Sequence, residues 1–349
     1  MSENDHRSGF VSIIGRPNVG KSTLLNRLVG SKVAIISDKP QTTRHRIQGV
    51  LTLPDAQIIF LDTPGIHKPR HQLGQYMVKV ALNTLREVGL VLFLVEANAA
   101  FGPGDEYILE RLISAKTPVV LCINKIDLMP RESLLPLIAD LQQKHNFEAI
   151  VPLSAFSGEN TDRLMQVILS HLPPGPRYYP PDEVTDQPEK VVIAELIREK
   201  VLHLAREEVP HGVTVTVEEM ELRAGGKARK DGSPGMPDAG GKRPEITRVS
   251  DAQSSINPES LGRKAGNEAL MRPPGEVLFI RAVIYTERDS HKAIIVGRKG
   301  QMLKNIGQLA REEIEALFGS RVYLDLWVKV KPNWRRNGTF LGHFGYQQD

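Results

Sequence analysis

The chain has 349 residues, of which 40% are hydrophobic and 25% charged, and its formal net charge is +4. This length favours two domains over one, and this composition is typical of a globular protein and excludes a fibrous or wholly disordered chain. Cys122 is the single cysteine, which excludes a disulfide framework and favours a reducing compartment. Because Cys122 lies in an apolar run, we expect it to be a buried packing residue.

The first half of the chain alternates short apolar runs with amphipathic segments. The apolar runs predict strands at Phe10–Ile14, Ala56–Asp62, Leu90–Val95, Val119–Asn124 and Ala149–Pro152. The segments between them predict helices at Ser22–Val29, Gln72–Val88, Pro103–Ala115, Glu132–His145 and Thr161–His171. Strands that alternate with helices form a mostly parallel sheet, and ligands bind beyond the carboxyl ends of its strands.

A glycine-rich loop separates the first predicted strand from the first predicted helix. In this context the pattern binds phosphate, because backbone N–H groups and the helix N-terminus surround the anion. We predict that Lys21 contacts the β- and γ-phosphates and that the hydroxyl of Ser22 ligates Mg²⁺. The residues of this loop that we expect to bind nucleotide are Gly15, Asn18, Val19, Gly20, Lys21, Ser22 and Thr23.

A second motif, Asp62 to Gly65, follows the second predicted strand. A carboxylate at the end of a strand is placed to hold Mg²⁺ through water, so we assign that role to Asp62. Gly65 leaves its N–H free to approach the γ-phosphate. We therefore expect this motif and the phosphate-binding loop to face the same ligand.

The last two motifs predict recognition of guanine. Asp127 can accept hydrogen bonds from N1–H and the exocyclic amine of guanine, a pair of donors that adenine lacks. Lys125 can lie along the purine face, and Asn124 can tie its loop to the phosphate-binding loop. Ser154 and Ala155 follow the last predicted strand, and the backbone N–H of Ala155 is predicted to donate to guanine O6.

In this order and spacing the motifs resemble those of the translation-factor-like GTPases. The resemblance implies that the segment containing Thr43 is the first switch, which becomes ordered when GTP is bound. It gives Thr43 as the hydroxyl that closes on Mg²⁺, with Thr42 as the alternative. It also implies that Lys21, Thr43 and Gly65 act on the γ-phosphate during hydrolysis.

The loop after Gly65 lacks an evident group to orient the attacking water. Ile66 stands where Ras-like GTPases carry a glutamine, so we expect slow unaided hydrolysis, with water oriented by a group that the sequence does not identify. We interpret Lys68, Arg70 and His71 as solvated loop residues. His67 and His71 have the spacing of a zinc pair, but no third ligand accompanies them, so we predict no zinc site.

A proline-rich segment divides the chain. Six prolines between Leu172 and Pro188 exclude a helix and predict a stiff, extended linker. The segments after it predict a helix at Val191–Glu208, strands at Val213–Leu222 and Val277–Thr286, a helix at Met302–Leu317 and a strand at Arg321–Val330. We assign residues 1–172 to a GTPase domain, 173–189 to the linker and 190–349 to a second domain.

Residues 223–275 interrupt the second domain between two predicted strands. These 53 residues hold nine glycines, six prolines and few large apolar side chains, so they cannot bury a core of their own. We predict a disordered insertion. Its excess of basic residues, ten against six acidic, leaves loose affinity for a polyanion as the alternative to a solvated linker.

The turn Gly297-Arg298-Lys299-Gly300 precedes the last predicted helix. Such a turn brings the backbone close to a nucleic-acid chain, and in KH domains it clamps about four nucleotides of a single strand. The order of the surrounding elements is that of a type II KH domain. From Arg288 to the end of the chain there are eleven basic residues and six acidic ones, and this excess of positive charge favours a polyanionic partner.

Three stretches, Gln41–Ile47, Ile294–Gly307 and Leu326–Lys331, resemble the Era family among the TrmE/Era/EngA-type GTPases. The resemblance covers residues 10–222 and 276–334. It implies a Ras-like P-loop NTPase domain with a parallel sheet, followed by an α+β type II KH domain. The residues that it places on RNA are Gly297, Arg298, Lys299, Gly300 and Lys304, with Trp334, Arg335 and Arg336 adding stacking and charge.

The same resemblance implies a function. Such a protein hydrolyses GTP to GDP and phosphate with Mg²⁺ and binds the 3′ end of 16S rRNA during 30S subunit biogenesis. It is a cytoplasmic monomer that associates peripherally with the inner membrane. Two rival hypotheses are a non-enzymatic RNA-binding protein with nucleotide as a structural ligand, and a GTPase of tRNA modification, which would need a catalytic C-terminal domain.

Overall fold

The computed structural model describes residues 6–39, 42–66, 71–205, 209–224 and 276–346. The chain forms two compact units, one of Met1–Asp186 with Gly345–Asp349 and one of Gln187–Phe344. Within the described ranges, no helix is both long and apolar enough to cross a bilayer.

Unit 1 is built on a six-stranded sheet. Its strands are β1 (Arg7–Gly15), β2 (Ile47–Thr52), β3 (Ala56–Asp62), β4 (Leu90–Glu96), β5 (Val119–Asn124) and β6 (Ala149–Pro152). The strand order is β2-β3-β1-β4-β5-β6, with β2 antiparallel to β3 and every other neighbouring pair parallel. β4 and β5 are almost continuously apolar because both of their faces are covered.

Five helices cover this sheet, and each side of it has its own hydrophobic core. The helices are α1 (Lys21–Val29), α2 (Gln72–Thr84), α3 (Pro103–Ala115), α4 (Leu134–Gln142) and α5 (Thr161–His171). Cys122 is buried within β5, as predicted, and burial raises the pKa of its thiol. The alternation of strands and helices seen in the sequence is therefore confirmed.

The sequence prediction differs from the structure of unit 1 most in three elements, and β1 also begins at Arg7 rather than at the predicted Phe10. It missed the antiparallel strand β2, in which Gly49 interrupts the apolar run. A Cβ at Gly49 would lie 2.8 Å from Leu25, so the strand and α1 approach closely at this glycine. Helix α2 ends at Thr84, before the predicted end. The predicted helix that starts at Glu132 begins as a 3₁₀ turn, and the α-helix runs only from Leu134 to Gln142.

Much of the proline-rich segment lies along unit 1. The N–H of Ser8 donates to the carbonyl of Pro173 at 3.1 Å, and the N–H of Val50 donates to that of Val184 at 2.9 Å. The buried Gln57 side chain accepts from the N–H of Tyr178 at 2.7 Å and from that of Tyr179 at 2.9 Å. Prolines keep the segment extended, and hydrogen bonds from the sheet hold it in place. We call residues 173–186 the strap.

Unit 2 packs helices on one face of a three-stranded sheet. Its elements are α6 (Glu189–Leu204), β7 (Thr214–Ala224), β8 (Glu276–Thr286), α7 (Asp289–Val296), α8 (Gln301–Phe318), β9 (Val322–Val330) and α9 (Gly338–His343). The strand order is β7-β8-β9, with the first pair antiparallel and the second parallel. Alternate apolar residues of β8 and β9 face the core with Ile306, Ala310 and Ile314 of α8.

The predicted insertion falls between β7 and β8. Its first two residues, Arg223 and Ala224, belong to β7, and Ala224 pairs with Glu276 of β8. The prediction for residues 225–275 lies outside the described ranges. The bounds of α7 and the presence of α9 were not predicted from the sequence.

Candidate functional site

Four of the predicted motifs meet at one edge of the sheet in unit 1. They follow the carboxyl ends of β1, β3, β5 and β6, which are neighbouring or next-but-one strands of a largely parallel sheet. A cavity of about 240 Å³ opens at this edge. Its lining residues include Gly20, Lys21, Ser22, Thr23, Thr43 and Lys125.

The phosphate-binding loop connects β1 to α1 through two residues with positive φ. Asn18 has φ 67° and Gly20, the N-cap of α1, has φ 100°. A Cβ at Gly20 would collide with the Asn124 side chain, so only glycine fits. The side chain of Asn18 donates to the carbonyl of Asp38 at 2.6 Å. The loop therefore presents the N-terminus of α1 to the cavity, as anion binding requires.

Lys21 and Asp62 are both buried beside this cavity. Lys21 is 6% exposed, and its Nζ donates to the carbonyl of Arg16 at 2.8 Å. Burial lowers the pKa of Lys21 to about 8, against the opposing effect of the Asp62 charge. Burial likewise raises the pKa of Asp62, against the effects of Lys21 and of hydrogen bonds from Ser22 and Thr43. A bound phosphate would raise the pKa of the lysine again, because it favours the charged form.

The three predicted Mg²⁺ ligands form one cluster of oxygens. Ser22 Oγ donates to Asp62 Oδ2 at 2.7 Å and lies 2.9 Å from Thr43 Oγ1, which is 3.2 Å from the same carboxylate oxygen. Asp62 Oδ1 is buried and has no hydrogen-bond partner among the described residues. Thr42 instead donates to the carbonyl of Lys39 at 2.6 Å. Thr43 rather than Thr42 therefore lies at this cluster, whose hard oxygen donors fit Mg²⁺.

The loop after Asp62 folds against the phosphate-binding loop. A Cβ at Gly65 would lie 2.6 Å from the backbone nitrogen of Pro17, so a larger residue would push the two loops apart. The N–H of Ile66 donates to the carbonyl of Gly15 at 3.2 Å, and its side chain is buried in the core. Ile66 thus anchors the loop and leaves no side chain at this position to orient water.

Asn124 joins the motif that selects the base to two other loops. Its Nδ2 donates to the carbonyl of Val19 at 2.7 Å, and its Oδ1 accepts from the N–H of Ala155 at 2.9 Å. Ser154 is buried, and its Oγ accepts from the N–H of Ser157 at 3.1 Å. Donation from Ala155 to guanine O6 stays a prediction. The N–H of Ala155 already donates to Asn124 Oδ1, so it would have to share its hydrogen or change its acceptor.

Lys125 lines the cavity, and Asp127 follows it two residues later. Lys125 has φ 66°, and its Nζ is bound by Glu96. Asp127 is exposed in a 3₁₀ turn. Its carboxylate is thus accessible to a purine, and its role in base selection stays a prediction.

His71 is not the solvated loop residue that the sequence analysis expected. Its ring Nδ1 accepts from the N–H of Gly74 at 3.0 Å and caps the N-terminus of α2. An imidazole nitrogen here replaces the oxygen that usually caps a helix. His67, Lys68 and Arg70 lie outside the described residues, as does Gln41 of the predicted switch.

Sequence reasoning missed two sets of contacts around this site. Arg16 bonds to Asp105 and lies near Glu96, and neither acidic residue belongs to a nucleotide motif. The ring of Tyr346 stacks on His45 at a centroid distance of 4.5 Å, and both lie near Tyr76. No spacing rule in the sequence links residues so far apart.

The Gly-x-x-Gly turn of unit 2 joins α7 to α8. Gly297 has φ 70°, Lys299 φ 51° and Gly300 φ 77°, so three of its four residues adopt positive φ. A Cβ at Gly297 would lie 2.6 Å from Cβ of Met302, whereas one at Gly300 would meet nothing within 4 Å. Arg298, Lys299 and Lys304 are exposed. The turn therefore presents basic side chains at the N-terminus of α8.

Trp334 is not available for stacking on RNA, contrary to the sequence prediction. It is fully buried, and its Nε1 donates to the carbonyl of Gly212 at 3.0 Å. Arg335 is paired with Glu287. An indole with a satisfied N–H is favourable in a core, which explains its position. Arg336 is exposed.

Comparisons with known proteins agree with both units. Residues 10–125 match the family described as 50S ribosome-binding GTPase, and residues 263–335 match the KH domain family. A variant of Aquifex aeolicus Era bound to GDP and AlF4⁻ is 40% identical, with a TM-score of 0.81. The alignment covers 98% of this chain and 100% of that one. A structure of Era with MgGDPNP and nucleotides 1506–1542 of 16S ribosomal RNA gives the same identity, coverage and TM-score.

The fold and the site define a GTPase domain followed by a KH domain, as the sequence predicted. The identity of 40% over nearly the whole length of both chains is more specific than this architecture. The chain belongs to the Era family of GTPases.

Proposed function

We propose that this protein hydrolyses GTP to GDP and phosphate and couples its nucleotide state to binding of the 3′ end of 16S rRNA. The observation that carries the proposal is that Lys21, Ser22 and Thr43 line one cavity. Asp62 bonds to Ser22 and Thr43, and Asn124 bonds to the phosphate-binding loop. The Era structures with GDP·AlF4⁻ and with MgGDPNP and rRNA, each 40% identical to this chain, support the choice of ligands.

In this proposal the phosphates occupy the cavity at the N-terminus of α1. Lys21 supplies a buried positive charge, and the loop from Gly15 to Gly20 supplies backbone N–H groups. Ser22, Thr43 and, through water, Asp62 hold Mg²⁺, which would neutralise charge on the phosphate oxygens. The mutual contacts of these three residues support this assignment.

Hydrolysis by these residues consists of positioning and electrostatic stabilisation. Lys21 is held by the Arg16 carbonyl and can turn its charge toward phosphate oxygens that become more negative. Gly65 brings its backbone close to the phosphate-binding loop. Because Ile66 is buried and cannot orient water, we propose a slow intrinsic rate.

The RNA site of the proposal is the turn from Gly297 to Gly300 with Lys304. Backbone in this conformation and the exposed Arg298 and Lys299 suit close approach to a sugar–phosphate chain. The family match to KH domains supports this use of the turn.

The cellular part of the proposal follows from the family. We propose that the protein acts in 30S subunit biogenesis as a cytoplasmic monomer that associates peripherally with the inner membrane. Fractionation of cells at low and high salt tests the location, and sedimentation of the purified protein tests the monomer. A protein found only in salt-resistant membrane fractions would contradict this part.

Multiple-turnover phosphate release tests the enzymatic claim. We expect release from GTP in Mg²⁺, with and without an RNA of the 16S 3′ end, and none from Lys21→Ala protein. An absence of turnover with nucleotide still bound would favour the rival hypothesis of a non-enzymatic RNA-binding protein. Crosslinking with sequencing tests the partner, and recovery of scattered messages without the 16S 3′ end would contradict it.

A further inference from the structure

Four charged side chains of alternating sign join the phosphate-binding loop to the loop that selects the base. Nε of Arg16 donates to Asp105 Oδ1 at 2.8 Å, and its Nη2 lies 3.9 Å from Glu96 Oε2. The other carboxylate oxygen of Glu96 binds Nζ of Lys125. We call Asp105, Arg16, Glu96 and Lys125 the ion chain.

The Asp105 end of the ion chain is firmly anchored. Its side chain is 1% exposed, and its Oδ2 accepts from the N–H of Gly102 at 3.1 Å, which caps the first turn of α3. The stem of Arg16 lies across this turn, since a Cβ at Gly104 would be 2.8 Å from its Cδ. The Arg16 side chain is therefore held in place by its contacts with α3.

The Glu96 end lies against the base-selecting loop. Glu96 ends β4 and pairs in register with Asn124 of β5, and the N–H of Ala97 donates to the Asn124 carbonyl at 2.8 Å. From this fixed position Glu96 holds the ammonium group of Lys125, whose side chain lines the cavity. With both its backbone and its Nζ fixed, the methylene stem of Lys125 has little freedom left.

We propose that Glu96 is a positioning residue that acts through Lys125, and that Arg16 and Asp105 hold Glu96 in place. The ion chain thereby sets the lifetime of the bound guanine nucleotide. This inference rests on the proposed function and adds to it a determinant of nucleotide release. Preorganising the lysine stem reduces the entropy lost when a purine packs on it.

The Glu96–Lys125 pair lies at the base-selecting loop, and GDP and GTP share the base that this loop is proposed to contact. Weakening it should accelerate the dissociation of both nucleotides by the same factor and leave bond cleavage in bound GTP unchanged. Glu96 is 20% exposed and Lys125 29%, so salt should weaken their pair. Nucleotide release should therefore accelerate with ionic strength, and more steeply when the ion chain is intact.

Stopped-flow release of ribose-labelled GDP and of a labelled non-hydrolysable GTP analogue tests the proposal. For Glu96→Gln we expect both dissociation rates to rise about five- to tenfold, the usual effect of losing one hydrogen bond. Single-turnover cleavage of saturating GTP should stay within about twofold. The control is Glu106→Gln, an exposed position in the first turn of α3, which removes the same charge and should change neither rate.

A double-mutant cycle separates positioning from general destabilisation. In a Lys125→Met background, Glu96→Gln should have no further effect on the dissociation rate, because its partner is already absent. An equal acceleration in both backgrounds, or an unchanged rate for Glu96→Gln, would overturn the proposal. If Glu96→Gln folds poorly, Glu96→Asp replaces it and should give a smaller acceleration. Wild-type protein that fails to bind GDP would overturn the proposed function instead.

Discussion

At the scale of single residues, the nucleotide site is defined by charges that the fold removes from water. Lys21 and Asp62 are nearly inaccessible to water. Burial lowers the pKa of Lys21 and raises the pKa of Asp62, because it disfavours the charged form of each. Such shifts are typical of sites that await a charged ligand. The sequence motifs predicted roles for these two residues, but their burial follows from the packing of whole loops.

The lowered pKa of Lys21 predicts a pH dependence of binding. Below about pH 8 the lysine is already charged, so binding of GDP needs no proton at this group. Above about pH 8 the free protein has lost this proton, and the phosphates bind best after it returns. Affinity should therefore fall by up to about tenfold per pH unit above pH 8.

Calorimetry in two buffers of different ionisation enthalpy measures this directly. We expect GDP binding to take up clearly more protons at pH 8.5 than at pH 7. Equal uptake at both pH values would mean that the pKa of Lys21 is not lowered in the free protein.

Asp127 gives a prediction on base choice. Replacing Asp127 by Asn exchanges an acceptor for a donor where the guanine amine is expected, so GTP affinity should fall by about 100-fold. Xanthosine triphosphate, which carries a carbonyl at that position, should bind Asp127→Asn better than it binds the wild type. Competition against labelled GDP measures both effects, and an unchanged order of affinities would refute the role of Asp127.

At the scale of elements, the strands that are buried on both faces were the most predictable. β3 and β5 have the predicted bounds because their apolar runs end at polar loops. β2 was missed because Gly49 interrupts its pattern, and its pairing with β3 is a tertiary contact that no local rule anticipates. The strap was interpreted as a linker because its prolines indicate only that the segment is locally stiff. They do not indicate the hydrogen bonds that it forms with neighbouring strands.

Gln57 is the residue that tests how the strap is held. Its side chain also donates to the Tyr179 carbonyl at 2.8 Å and to Thr52 at 2.9 Å. Gln57→Met keeps the side-chain volume but leaves the N–H groups of Tyr178 and Tyr179 without their acceptor. We expect a loss of about 2–3 kcal/mol in the free energy of unfolding.

Denaturant unfolding of unit 1, measured in the absence of GDP, gives this loss. Gln166→Met on the exposed side of α5 is the matched control and should change stability by less than about 0.5 kcal/mol. Equal stabilities of the two variants would show that the strap contributes nothing to unit 1.

At the scale of the whole molecule, the proposal places a nucleotide site in unit 1 and an RNA site in unit 2. The match of residues 10–125 and 263–335 to separate families reflects this division. Sequence motifs were sufficient to propose both sites, since glycine turns and charged residues at fixed spacing are local features. They could not reveal the buried position of Trp334 or the ion chain, which depend on contacts between distant segments.

The RNA site predicts a change in salt dependence. Arg298→Ala should weaken binding of a 16S 3′-end RNA and reduce the slope of log affinity against log salt by about 0.7, the effect of one lost phosphate contact. GDP affinity should not change. Lys329→Ala, on the sheet face away from the helices, is the control. An identical slope for both variants would remove Arg298 from the RNA interface.

The central claim is that one guanine nucleotide occupies the cavity lined by the loops after β1, β3 and β5. Displacement of labelled GDP from the wild-type protein by unlabelled GTP, GDP and ATP tests it most directly. We predict that GTP and GDP displace the probe at similar concentrations and that ATP does not do so at a thousandfold excess, about 4 kcal/mol of discrimination. Displacement by ATP at the same concentration as GTP would contradict the claim.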